Sequence, residues 1–134
     1  MNTSSIKYLG NLRTQATHLR SGDEILTDAP IDNNGKGEAF SPTDLLATSL
    51  VSCMITVMGI AARKRNISFS NADCTMQKIM ADNPRRVHTV QIEIIIRENW
   101  SLKEKEILEK IALNCPVAKS LSQEIKQEVK FTYV

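Results

Sequence analysis

Ser41-Pro42-Thr43-Asp44-Leu45-Leu46-Ala47-Thr48-Ser49-Leu50-Val51-Ser52-Cys53-Met54-Ile55-Thr56-Val57-Met58-Gly59-Ile60-Ala61-Ala62 is the stretch on which the fold turns. Ser41 can cap a helix, Pro42 fits its first turn, and Asp44 stands at the acid position of a capping box. The spacing predicts a helix from there to about Arg65. Leu45 to Ala62 is 18 residues without a charge, close to the lower limit for a membrane span. Thr48, Ser49, Ser52, Thr56 and Gly59 interrupt it, and the rest of the chain reads as soluble sheet and helix. A buried core helix, and no membrane, is the reading. A helix that is apolar all round must be covered on all sides. One sheet from a chain of 134 residues cannot do that, which predicts a second subunit lying over it.

Working outward, strands are expected over residues 5–12, 14–20 and 25–27, with Ser21-Gly22-Asp23-Glu24 as a turn. The polar loop Asp32-Asn33-Asn34-Gly35-Lys36-Gly37-Glu38 lacks the spacing of a phosphate cradle. Beyond the helix, residues 67–81 and 86–98 read as a long hairpin around Asp82-Asn83-Pro84-Arg85. Its second arm alternates, with Val90, Ile92, Ile94 and Ile96 on one face and Gln91 and Glu93 on the other. Ser101 and Glu104 form a second capping box, and Ile107, Leu108 and Ile111 make an amphipathic helical face. Asn114-Cys115-Pro116 breaks that helix, because proline disfavours a helical residue before it. A short helix from Val117 to Gln123 and a strand carrying Val129, Phe131 and Tyr133 complete the chain. The order is β-β-β-α-β-β-α-α-β, an α+β protein read as one domain over residues 1–134.

Composition removes several function classes. Seventeen Lys and Arg against 15 Asp and Glu give a net charge of +2, without the clustered basic face that nucleic acid demands. Aromatic residues are 4%, too few for a base-stacking platform. At 42% hydrophobic and 24% charged residues, the chain is too apolar for disorder. The N-terminus shows no apolar leader, so a cytoplasmic protein with reduced thiols is expected.

The three cysteines then need separate readings. Cys53 sits mid-helix among Ser49, Leu50, Thr56 and Val57, and by itself reads as a small core residue. Cys115 stands at a helix start, where free N–H groups and the helix dipole predict a lowered pKa. Cys74 shares a strand face with Ala72, Met76 and Met80 and reads as filler. His18 and His88 are isolated, and no metal-binding spacing is present.

Phe40-Ser41-Pro42-Thr43-Asp44-Leu45-Leu46-Ala47 leading to Ser52-Cys53-Met54 resembles the first-cysteine helix of the OsmC-like family, which includes the organic hydroperoxide resistance proteins. Asn114-Cys115-Pro116-Val117-Ala118-Lys119-Ser120-Leu121 resembles its second-cysteine motif, 62 residues further on. The resemblance implies a β(3)-α-β(2)-α-β fold. It implies an intertwined homodimer, with long central helices packed on mixed sheets and two active sites at the interface. The implied activity is thiol peroxidase chemistry on organic hydroperoxides or hydrogen peroxide, in oxidative stress defence. Cys53 would attack the peroxide and become a sulfenic acid, Cys115 would resolve it to a disulfide, and an external dithiol would reduce that disulfide. No bound cofactor is implied.

The family also uses an arginine from the N-terminal strands, held by a carboxylate. Arg20 resembles that arginine by context, and Arg13 is the alternative. The hydroperoxide-resistance pattern has a glutamate where this chain has Thr43, and the acid here comes one residue later, at Asp44. Asp44 lies about 900° of helical rotation from Cys53, on the opposite face, so a catalytic role and a capping role both stand. The two thiols rank differently by local environment and by resemblance. Local physics favours Cys115 as the thiolate, whereas the resemblance gives the attack to Cys53. Two other functions fit the same fold, a binding protein for small hydrophobic ligands and a redox sensor.

Overall fold

The N-terminal strands form an antiparallel three-stranded sheet in the order β1 (Ser4–Gly10), β2 (Arg13–His18), β3 (Glu24–Asp28). The first hairpin turns at Gly10, Asn11 and Leu12, all with positive φ, and a register shift between Tyr8 and Gly10 marks a bulge there. Registry places Arg13 directly opposite Asp28. The polar loop carries a short 3-10 turn at Ile31–Asn33, and a Cβ added at Gly37 would meet Ile31 at 2.7 Å, so close packing requires that glycine. The computed structural model describes residues 1–134, which group into two compact units, Met1–Leu46 and Ala47–Val134.

Helix α1 (Pro42–Lys64) starts as the sequence predicts. The Asp44 N–H donates to Ser41 Oγ at 3.0 Å and the Ser41 N–H donates to Asp44 Oδ2 at 2.9 Å, which completes the capping box. By length and composition α1 could cross a membrane, with mean hydropathy 2.1 over its most apolar stretch. Its buried residues Ala47, Leu50, Val51, Met54, Met58, Ala61 and Ala62 nevertheless belong to the protein core. The expectation of an all-round buried helix needs one refinement. Ser49, Ser52, Thr56 and Ile60 form an exposed stripe in the single chain, and Cys53 lies at its margin, half-buried.

The second unit contains a mixed sheet of β4 (Ala72–Ala81), β5 (Arg86–Ile96) and β6 (Lys126–Tyr133), with β5 in the middle. β4 pairs antiparallel and β6 parallel to it. Val90, Ile92, Ile94 and Ile96 are all buried, so the period-two pattern found the inner face. Burying each such side chain contributes roughly 1.5–3 kcal/mol. The parallel return of β6 requires a crossover, supplied by α2 (Leu102–Leu113) and α3 (Pro116–Ser120). α2 carries the complete Ser101–Glu104 capping box.

Several boundaries differ from the sequence reading, most of all those of β4 and α3. β4 begins at Ala72 rather than residue 67, because Glu98 ties down the preceding segment. Its carboxylate accepts the Ser70 N–H at 2.7 Å and the hydroxyls of Ser68 and Ser70 at 3.1 and 3.2 Å. α3 ends at Ser120 rather than Gln123, since Leu121 is already extended at φ −77° and ψ 154°. An aromatic cluster fixes α2 against the end of β6. Trp100 lies edge-on to Phe69 and Tyr133, with centroids 5.2 and 5.9 Å away. The Tyr133 hydroxyl donates to Glu109 Oε2 at 2.6 Å, and Lys105 Nζ sits 4.2 Å from the Tyr133 ring.

Candidate functional site

The second unit places Cys53, from α1, and Cys115, ahead of α3, close enough for the Cys53 thiol to raise the pKa of Cys115. Cys115 is the N-cap of α3, with extended backbone at φ −64° and ψ 158°, and Pro116 follows at the first helical position. Its sulfur accepts the Ala118 N–H at 3.4 Å. The two thiols differ in access, because Cys115 is 1% exposed whereas Cys53 is half-buried. Cys74 is half-buried on β4, where burial and then the charge of Asp73 raise its pKa.

One expectation is overturned. The helix start was expected to lower the pKa of Cys115, but burial pushes that thiol up. The amides of Ala118 and Val117 oppose the shift, while the hydrogen bond and charge of Cys53 add to it. A helix of five residues has little macrodipole to offer, and the desolvation of the anion outweighs it.

The first unit holds a guanidinium–carboxylate pair. Arg13 Nε and Nη2 donate to Asp28 Oδ1 and Oδ2 at 2.7 and 2.8 Å, a bidentate grip. Asp28 also accepts the Glu38 N–H at 3.1 Å, and Glu38 Oε2 lies 3.6 Å from Arg13 Nη2. The Arg13 hydrogen bond holds the Asp28 carboxyl below its ordinary range, against the opposing effect of burial. Arg20 is placed differently. It is exposed in the turn after β2 and forms no ion pair with any carboxylate. Asp44 is in the capping box with Ser41.

The sequence reading missed Asp28. The signal that could have found it is cross-strand pairing, since residues directly opposite in an antiparallel hairpin interact. His18 and His88 each sit against a hydroxyl, of Ser21 and Thr89, at 2.6 Å.

Comparison with known proteins places this geometry. Residues 35–130 match the family model described as OsmC-like protein. The chain belongs to the OsmC family. A crystal structure from Psychrobacter arcticus 273-4, of a protein named for osmotic stress and detoxification response, is similar at 52% identity. It covers 98% of this chain and 96% of its own, with a TM-score of 0.94. An OsmC-like protein from Mycoplasma pneumoniae has the same fold at 18% identity, with a TM-score of 0.81 over 98% of this chain and 95% of its own. So does an organic hydroperoxide resistance protein from Legionella pneumophila, at 16% identity and a TM-score of 0.73, over 98% of each chain. Among curated proteins, none matches the chain in sequence. In the OsmC fold, α1 is accordingly the core helix and β4, β5 and β6 its mixed sheet.

Proposed function

We propose that this OsmC-family protein is a thiol-dependent peroxidase, reducing organic hydroperoxides or hydrogen peroxide in oxidative stress defence. The proximity of the Cys53 and Cys115 thiols carries this reading, because a neighbouring pair that can close a disulfide is its central requirement. Their unequal exposure divides the labour. The accessible Cys53 attacks a peroxide oxygen as thiolate, so that an S–O bond forms, the O–O bond breaks and the released alkoxide takes a proton from solvent. The buried Cys115 then attacks the Cys53 sulfur. The S–S bond forms, the S–O bond breaks, and the hydroxyl leaves as water with the Cys115 proton. An external dithiol returns the disulfide to two thiols by exchange.

The resemblance gives the supporting cation to an arginine held by a carboxylate, and Arg13 rather than Arg20 meets that description. The working form is a cytoplasmic homodimer. Ile6, Tyr8, Leu9, Ile25 and Leu26 on the N-terminal strands, Leu12 in their first turn and Ile60 on α1 are exposed in the single chain, apolar side chains that a partner subunit would cover. Peroxides are small and neutral, and a net charge of +2 provides no steering for a charged substrate.

The test uses the reduced protein, sized by light scattering and mixed with cumene hydroperoxide or hydrogen peroxide. The expected result is a dimer that loses two thiols per chain to a Cys53–Cys115 disulfide, mapped by peptide mass. A folded protein whose thiols survive both oxidants would end this reading.

A further inference from the structure

Strand β6 directs Gln127, Val129, Phe131 and Tyr133 to the same face as Val90, Ile92, Ile94 and Ile96, their partners across the ladder. Gln127 is the one polar amide in that inward column, and it is half-buried. Its Nε2 donates to the Ala118 carbonyl at 3.3 Å. Ala118 lies in α3, where the chain leaves the helix after Ser120, so this carbonyl has no amide of a next helical turn to accept from. Gln127 therefore caps the C-terminal end of the helix whose N-terminal cap is Cys115.

A helix this short is unfavourable to nucleate and does not hold itself. α3 stands on a few fixings at its ends. The Cys115 sulfur accepts the Ala118 N–H, the Ser120 hydroxyl donates to the Pro116 carbonyl at 2.7 Å, and Gln127 reaches Ala118 from a different element. Of these three, only the Gln127 contact ties α3 to the sheet.

We infer that Gln127 is a positioning residue for Cys115, holding α3 so that the Cys115 sulfur stays in reach of Cys53 when the sulfenic acid forms. This rests on the dithiol cycle proposed above. Gln127 touches no reacting atom in that cycle. Its effect falls on the second step, formation of the S–S bond with loss of water, and not on the attack on peroxide.

Gln127→Glu keeps the shape but presents an acceptor to a carbonyl, and Gln127→Ala removes the reach altogether. Both variants, in the full-length reduced protein, should consume the first equivalent of cumene hydroperoxide within about twofold of the wild-type rate. Disulfide formation should slow about tenfold, and excess peroxide should drive more Cys53 to sulfinic acid, read by intact mass. The Cys53–Cys115 disulfide should become about tenfold easier to reduce, which is about 30 mV for this two-electron couple. Amide exchange at Lys119 and Leu121 should accelerate in the reduced protein, with no oxidant added. A general loss of structure would instead lower the thermal midpoint and slow both steps alike, and that outcome overturns the inference. So does a disulfide rate equal to wild type in both variants. If the wild-type protein itself forms no Cys53–Cys115 disulfide, the peroxidase reading fails, whereas unchanged amide exchange refutes the role of Gln127 independently.

Discussion

Replacing Cys53 by serine isolates Cys115 and asks whether it can act as nucleophile. Cys115 is 1% exposed, and burial raises its pKa above the ordinary thiol value of about 8.5. An ordinary thiol is only about 3% ionised at pH 7, and burial pushes Cys115 in the direction of still less. The substitution removes the part of the shift that Cys53 causes, but burial, the largest cause, remains. Peroxide consumption by Cys53→Ser at pH 7 should then lie about 30-fold or more below that of a fully ionised thiolate, before any loss from poor access. Its rate should climb with pH, about tenfold per pH unit while the thiol stays mostly protonated. The assay is stopped-flow peroxide consumption from pH 6 to 10 with trapping of the sulfenic acid, using Cys115→Ser as the companion that keeps the first step. A Cys53→Ser variant as fast as wild type at pH 7, with a flat profile and the trap on Cys115, would reverse the two roles.

Arg13→Lys breaks a bidentate grip that an ammonium cannot reproduce, and should slow the first peroxide step at least about tenfold, whereas Arg20→Lys should not. The opposite order, read in the same stopped-flow assay, would return the role to Arg20. Stability should fall on both sides of neutrality, followed by urea unfolding across pH. Asp28, Glu98 and Glu128 have lowered pKa values, so their contribution is present above their unfolded values of about 4 and is lost as pH falls through the lower folded ones. Cys74, Cys115 and Tyr133 are raised, so the folded state binds more protons than the unfolded one once pH passes about 8.5 for the thiols and about 10 for the tyrosine. Stability should decline there, and a rise between pH 9 and 11 would contradict the burial of these groups.

Much of the fold was legible because it is written in local patterns. The capping residues Ser41 and Ser101 set where α1 and α2 begin, through hydrogen bonds spanning three residues. The alternation from Val90 to Ile96 gave the inner face of β5, since side chains on a strand change sides at every residue. The parallel sense of β6 came only through the mixed sheets that the resemblance implies, because no local residue encodes the direction of a neighbour 37 residues away in the Gln91–Glu128 register. The site divided in the same way. The two cysteine motifs could be read in sequence. That Arg13 rather than Arg20 has a carboxylate depends on the hairpin register, which sets Asp28 opposite Arg13 and leaves Arg20 in a solvent-facing turn.

By itself, the sequence determined the order of the elements, the apolar helix that carries Cys53, and the proline break that makes Cys115 an N-cap. These follow from backbone preferences and hydrogen bonds within a few residues, where chain entropy leaves few alternatives. Only the tertiary structure decided the electrostatics. Burial of Cys115 reversed the pKa shift that its helix position predicts, and Gln127 became the far anchor of a helix it does not belong to. Desolvation depends on every atom packed around a group, and no reading of neighbours along the chain can sum it.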